Sequence, residues 1–214
     1  MSSEIFHNPD STKKFSWVAV LFVVTLITSN LMASKLVVFG SLILPASVIL
    51  YPVCFMLGCV LAEGWGGGKA RQVILMGFVA NAILVVFTNI AVLMYFEPEL
   101  YGGQTSFQAV YQGLPRILFA SFVAYLVSEI CTAFFAKGIR KLALSRHLFV
   151  RVIGAVVVGQ AFDTPLFMLI AFYGVVQDVV LAPMMLAYFG IKVLVGAVLT
   201  PMVYVAVHWV KHHG

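Results

Sequence analysis

Five polar or charged side chains lie inside long apolar stretches of this sequence: Asn30, Glu129, Gln160, Asp163 and Lys192. A charge in a lipid environment costs several kcal/mol unless it is paired or faces a polar cavity. A carboxylate accepts N–H donors, an amide both donates and accepts, and an ammonium group only donates. The five residues therefore predict an internal site that binds a small polar molecule.

The segment Asp163-Thr164-Pro165 adds a second feature to this predicted site. Gln160 stands three residues before Asp163, so the two side chains share one face if the segment is helical. Pro165 has no N–H, which releases the carbonyl of Ala161 from the helix. A released carbonyl beside a carboxylate is a suitable binding corner, and a simple kink is the alternative interpretation.

These residues also have a purely structural interpretation. Lys192 could pair with Asp163 or with Glu129 and hold helices together without contacting a ligand. Two acids and one base do not neutralise each other, however. The remaining acid is predicted to need a proton, an ion or a cationic ligand.

The elements that carry these residues are predicted to be membrane-spanning helices. Of the 214 residues, 62% are hydrophobic and 10% are charged, against about 25% charged in an average soluble domain. Six apolar runs approach the roughly 20 residues that a bilayer-spanning helix needs. They cover residues 15–36, 45–62, 73–96, 117–136, 152–176 and 184–210. The chain is thus predicted to be an all-α membrane protein with one six-span domain, residues 1–214, in which residues 1–14 form a tail. Residues 36–44 are predicted to form a tight outer hairpin.

Basic residues set the predicted orientation of the spans. With six spans both termini lie on one side, and that side receives ten of the 13 Lys and Arg residues. The other side receives Lys35, Arg116 and Lys192. Because positively charged loops stay in the cytoplasm, both termini are predicted to be cytoplasmic, in the cytoplasmic (inner) membrane of a bacterium. The net charge of +5 then reflects insertion bias, and no nucleic-acid partner is expected.

Two connections between spans contain further candidate residues. In the cytoplasmic segment from Glu63 to Arg71 the glycines permit a tight turn, and Trp65 suits the membrane interface. Glu63, Trp65 and Arg71 are therefore candidates for a cytoplasmic motif or gate. Residues 96–115 form the long outer loop, after which Arg116 and Ser121 begin the fourth span as candidate ligand residues. No phosphate loop, zinc-protease motif or nucleophile elbow occurs. We therefore expect no enzyme activity, no catalytic residue, no cofactor and no metal.

Several short motifs follow one another along most of the chain, from Thr28 to Tyr204. They are Thr28-Ser29-Asn30, Pro52, Glu63-Gly64-Trp65-Gly66, Ala70-Arg71, Arg116, Ala120-Ser121-Phe122-Val123-Ala124-Tyr125, Gly159-Gln160-Ala161-Phe162-Asp163-Thr164, Lys192, Pro201 and Tyr204. In this order the set resembles the queuosine precursor transporter family, also called the vitamin uptake transporter family. The chain departs from the family at Cys59, where members often carry Asp. It departs again at Glu129 and Thr132, where members usually have Gln and then Asp.

The resemblance implies a fold similar to the substrate-binding components of energy-coupling-factor vitamin transporters. It also implies uptake of a 7-deazaguanine for tRNA modification: the cyano or aminomethyl queuosine precursor, or the base queuine. Asp163 or Glu129 is expected to accept the two parallel N–H donors of the guanine-like edge. The full predicted substrate-binding set is Asn30, Arg116, Ser121, Glu129, Gln160, Asp163, Thr164 and Lys192.

Two other functions are compatible with the sequence. One is a substrate-binding subunit that works only with an ATP-driven module. The other is a structural membrane protein whose polar residues lock the helices together. The expected partners are the small-molecule substrate and membrane lipid, and a homo-oligomer is also compatible with the sequence.

Overall fold

The computed structural model describes residues 9–40, 42–94, 102–141 and 148–212. Its elements are α1 (Pro9–Met32), β1 (Leu36–Phe39), β2 (Leu42–Pro45), a 3-10 turn (Ala46–Ile49), α2 (Tyr51–Trp65), α3 (Gly67–Leu93), α4 (Gln104–Tyr111), α5 (Leu114–Lys141), α6 (Leu148–Phe172) and α7 (Asp178–His212). The fold is thus almost entirely helical, as predicted.

Six of these helices contain the apolar runs of the sequence. Four segments are long and apolar enough to cross a membrane: Asp10–Met32, Gly67–Leu93, Gln104–Phe134 and Asp178–His208. Two shorter apolar helical segments, Tyr51–Trp65 and Val156–Phe172, complete the set. The prediction of six apolar helices is confirmed, although several of their bounds differ from the predicted ones.

One difference in bounds surrounds a short β-hairpin. The first span was predicted to continue to residue 36, but α1 ends at Met32 and the chain turns into antiparallel strands with Leu36 opposite Pro45. Two residues separate the strands, and the first is Gly40, whose φ of 62° suits the turn between them. The predicted hairpin is therefore confirmed, and α2 begins at Tyr51 rather than at residue 45.

A second tight turn joins α2 directly to α3. Gly66 has a φ of 91°, which glycine adopts without strain, and α3 starts at Gly67, six residues before the predicted start of the third span. Beside this turn, Trp65 packs edge-on against Phe15, and its indole N–H donates to the Ser11 hydroxyl at 3.3 Å. Val210 belongs to the same buried cluster. The start of α1, the end of α2 and the end of α7 thus meet at one end of the bundle.

The predicted outer loop, residues 96–115, contains a helix that the sequence reading missed. Helix α4 occupies Gln104–Tyr111, and the Gln104 side-chain amide donates to the carbonyl of Val92 in α3 at 3.0 Å. This contact attaches α4 to the far end of α3, away from the turn at Gly66. A second buried cluster, which includes Ala33, Met168 and Tyr188, packs the corresponding half of the bundle.

Candidate functional site

A cavity of about 270 Å³ lies in the interior of the helix bundle. Helices α1, α2, α3, α5, α6 and α7 all contribute to its wall. Its polar lining residues are Ser29, Asn30, Ser47, Tyr51, Cys54, Ser121, Tyr125, Ser128, Gln160, Asp163, Tyr188 and Lys192. Its apolar lining residues are Phe22, Leu26, Ala33, Phe55, Ile74, Phe78 and Phe167. An apolar pocket with a few convergent polar groups is the usual form of a small-molecule site.

An ion pair between α6 and α7 lies in the wall of this cavity. The Lys192 ammonium donates to Asp163 Oδ2 at 2.8 Å. The same ammonium lies over two aromatic rings, 4.6 Å from the ring centre of Tyr188 and 5.2 Å from that of Tyr51. The negative faces of the rings add to the stabilisation by the carboxylate. Lys192 is 6% exposed, so its charge depends on these partners.

Two polar atoms in the wall are buried and have no hydrogen-bond partner among the described residues. They are the amide nitrogen of Asn30 and the phenolic oxygen of Tyr51. A buried polar atom without a partner carries a desolvation cost of about 1–3 kcal/mol. Both residues line the cavity, so a ligand that fills it with suitable acceptors and donors would remove that cost.

The α6 segment around Asp163 forms the predicted polar face. Gln160 and Asp163 both line the cavity, and Pro165 lies inside the helix. Thr164 is fully buried, and its hydroxyl donates to the Gln160 side-chain oxygen at 3.1 Å. Thr164 is therefore placed to hold the Gln160 amide in one orientation, with its NH₂ group available for another acceptor.

Glu129 does not line this cavity in the part of the chain that the structure describes. Its carboxylate accepts two hydrogen bonds from Arg71, at 2.8 Å from Nε and 2.5 Å from the terminal nitrogen, and so joins α5 to α3. The prediction that one acid would remain without a basic partner was wrong, because Lys192 pairs with Asp163 and Arg71 with Glu129. The sequence did not indicate the second pair, because Arg71 and Glu129 are 58 positions apart.

Arg116 also lies away from the cavity wall. Its guanidinium donates to the backbone carbonyls of Ile170 and Tyr173, at 2.6 and 2.5 Å. Ile170 lies in the last turn of α6 and Tyr173 directly follows the helix, where C=O groups lack helical partners. Ser121, five residues further along α5, does line the cavity.

The structure places Tyr51, Tyr125 and Tyr188 in the cavity wall, and the sequence reading assigned none of them to the site. Tyr188 precedes Lys192 by one helical turn, which was a signal that could have been used. The Tyr188 hydroxyl forms a 3.1 Å hydrogen bond with Ser47 in the 3-10 turn. Nothing in the sequence near Tyr51 indicates that its ring faces Lys192, because the two helices are distant in the chain.

A bundle of apolar helices long enough to cross a bilayer is the architecture of a multi-pass membrane protein. Residues 45–206 match the family described as "Putative vitamin uptake transporter". This match covers most of the chain, and the protein belongs to that family of membrane transporters. The chain is also 27% identical over 181 residues to a Bacillus subtilis (strain 168) protein named "Probable queuosine precursor transporter", covering 84% of this chain and 79% of the relative. No solved structure matches the chain.

Proposed function

We propose that this protein imports a queuosine precursor, a 7-deazaguanine base, through the cavity around Asp163 and Lys192. The observation that carries the proposal is the donor and acceptor set of the cavity wall. It includes a carboxylate, two buried polar atoms that have no hydrogen-bond partner among the described residues, and an amide held by Thr164. The name of the Bacillus relative supports the choice of ligand class.

The guanine-like edge of such a base carries two parallel N–H donors. Asp163 is the acid in the cavity wall, and Lys192 binds its Oδ2 atom. We assign the N–H donors of the ligand to this carboxylate, whose two oxygens have several acceptor positions. Glu129, the other acid considered for this role, is assigned instead to joining α3 and α5 through Arg71.

The remaining polar groups suit the opposite side of the ligand. We assign the Asn30 amide to the ligand carbonyl, and the Gln160 amide and the Tyr51 hydroxyl to the ring nitrogens. Phe78 and Phe167 provide apolar walls for a planar ring. A cavity of about 270 Å³ suits a bicyclic base better than a peptide or a large cofactor.

The orientation of the protein in the membrane and its fold likeness to other transporters are part of the same proposal. The end of the bundle that holds Ser11, Trp65 and Val210 also carries Lys69 and Arg71. We assign this end to the cytoplasm, with both termini there. The six-helix likeness to the binding components of energy-coupling-factor transporters is part of the same proposal.

The test is the thermal stability of the detergent-purified protein in the presence of queuine, the cyano and aminomethyl precursors, guanine and riboflavin. A ligand that binds only the folded state stabilises it by about 2.7 kcal/mol at 100 times its Kd. We expect a selective rise in Tm with at least one deazaguanine, and loss of that rise in Asp163→Asn protein that still unfolds cooperatively. If no deazaguanine raises the Tm of folded protein, the proposed substrate class is wrong.

Uptake measurements separate a transporter from a binding subunit. Proteoliposomes that contain this chain alone should accumulate the radiolabelled base that gave the Tm shift. Binding without uptake, together with co-purification of an ATPase, would instead identify a subunit of an ATP-driven transporter. Neither binding nor uptake would favour a structural role.

A further inference from the structure

A second, smaller cavity lies between α2 and α7, nearer the end of the bundle that contains Trp65. Its volume is about 120 Å³. Cys59, Glu63, Thr200 and Tyr204 supply its polar groups. Phe55 lines both this cavity and the central one, so its ring lies in the wall between them.

The face of α2 toward these cavities follows a regular spacing. Tyr51, Phe55, Cys59 and Glu63 are each four residues apart, which places them along one side of the helix. Tyr51 lines the central cavity, and Cys59 and Glu63 line the second. Along this face of α2, polar or polarisable side chains therefore lie both before and after Phe55.

The facing side of α7 repeats the pattern. Lys192, Gly196, Thr200 and Tyr204 are again four residues apart. Lys192 lines the central cavity, and Thr200 and Tyr204 line the second. Gly196 lies opposite Phe55, because a methyl group added at Gly196 would come within 3.6 Å of the tip of the ring. On both helices the row of polar residues is thus broken at the same level. The residue at this level is Phe55 on α2 and Gly196 on α7.

We propose that the second cavity is a binding subsite on the route by which the ligand leaves toward the Trp65 end, and that the Phe55 ring is the gate between the two cavities. A Cβ at Gly196 would come within 2.8 Å of Val156 in α6, so the missing side chain lets α7 pack closely against α6 and the ring at this level. The Glu63 carboxylate, at the end of the subsite nearer Trp65, accepts N–H donors of a planar heterocycle leaving the site. The ligand class rests on the proposed function, whereas the route rests on the two cavities alone.

The native cysteines are suitable probes for this route, because Cys54 lines the central cavity and Cys59 the second. Two single-cysteine proteins are made: one keeps Cys54 (Cys59→Ala with Cys131→Ala), and the other keeps Cys59 (Cys54→Ala with Cys131→Ala). Both are exposed to the membrane-impermeant thiol reagent MTSET in inside-out vesicles, with right-side-out vesicles for comparison. Each protein is also prepared with Phe55→Ala, with the milder Phe55→Leu, and with Phe87→Ala as a control. Phe87 is an exposed ring on α3.

We expect Cys59 to react from the cytoplasmic side and Cys54 to react much more slowly. Phe55→Ala should raise the rate at Cys54 by about tenfold or more, because a close-packed ring excludes a reagent larger than water. Phe87→Ala should leave this rate unchanged. If neither Phe55 variant changes the rate at Cys54, or if Cys59 is not reached from the cytoplasm, the gate and route are refuted.

The same experiment separates this inference from the proposed function. A deazaguanine bound in the central cavity should protect Cys54 from the reagent. If Phe55→Ala exposes Cys54 but no deazaguanine protects it, the route stands and the substrate assignment fails. If a deazaguanine protects Cys54 and both Phe55 variants have no effect, the substrate assignment stands and the gate fails.

Discussion

Lys192 is a buried cation whose charge is balanced by one carboxylate and two aromatic rings. Asp163 provides the carboxylate, and Tyr51 and Tyr188 provide the rings. This arrangement explains how an ammonium group is tolerated inside a bundle of apolar helices. It also fixes one oxygen of Asp163 and leaves the carboxylate in the cavity wall.

Removing one partner of this ion pair should lower the free energy of unfolding more than removing both partners. Lys192→Met leaves the Asp163 carboxylate without its cation, and we expect a loss of about 3 kcal/mol in unfolding free energy. The double variant Asp163→Asn with Lys192→Met should recover a large part of that loss, as measured by thermal unfolding in detergent. Lys35→Met, which removes an exposed lysine, is the control. Additive losses in the double variant would contradict the assignment of a coupled pair.

The Tyr51 hydroxyl should matter for binding and not for folding. Tyr51→Phe keeps the ring beside Lys192 and removes a buried oxygen that has no partner among the described residues. We expect the Tm without ligand to be unchanged or higher, and the Kd for the deazaguanine to rise about tenfold, the equivalent of one hydrogen bond. Tyr173→Phe, at an exposed ring, should change neither quantity. A lower Tm with an unchanged Kd would show that the hydroxyl is structural.

Two arginines outside the central cavity connect α5 to neighbouring helices. Arg71 of α3 binds Glu129 of α5, one helical turn from Tyr125 in the central cavity wall. Arg116 of α5 binds the carbonyls that end α6. Both arginines therefore attach α5 to its neighbours, one toward each end of the bundle, while the side of α5 between them faces the cavity.

Replacement of Arg116 should loosen the end of α6 without affecting the ligand contacts. In Arg116→Met the carbonyls of Ile170 and Tyr173 lose their charged donor, and we expect a loss of about 1 kcal/mol in stability. Arg116→Lys should lose less, since an ammonium group keeps the charge at the helix C-terminus but lacks the planar fork. Thermal unfolding measures the stability, and the Kd of the deazaguanine should stay the same for both variants. A large rise in Kd with no change in Tm would assign Arg116 to the ligand.

The two ends of the helix bundle carry different residues. The end with Ser11, Trp65 and Val210 lies beside the basic turn between α2 and α3. The opposite end holds the hairpin and α4. A bundle built in this way has one preferred orientation in the membrane, because basic segments resist translocation.

Fusion reporters test this orientation. A fluorescent protein fused after Gly214 should be bright, because it folds in the cytoplasm, and alkaline phosphatase fused there should be inactive. A cysteine introduced at Gly102, in a protein without Cys54, Cys59 and Cys131, should react with an impermeant maleimide in intact spheroplasts. Active phosphatase at the C-terminus would reverse the assigned orientation and with it the direction of the proposed route.

The sequence alone was enough to identify six apolar helices, the hairpin after the first of them and five of the twelve polar residues that line the cavity, namely Asn30, Ser121, Gln160, Asp163 and Lys192. These features depend on local composition: the length of an apolar run, a glycine at a turn, and the rarity of a charge in such a run. The residues of the Asp163 segment share a helix face, so their proximity followed from spacing.

The partners of each charge required the three-dimensional structure. Glu129 and Asp163 are both acids in apolar helices, and nothing local to either residue indicates that one meets Arg71 and the other Lys192. Helix α4 and the aromatic ring of Tyr51 were missed for the same reason. Their roles arise from packing between helices that are distant in the chain, and the rotation of each helix about its axis is set by all its neighbours together.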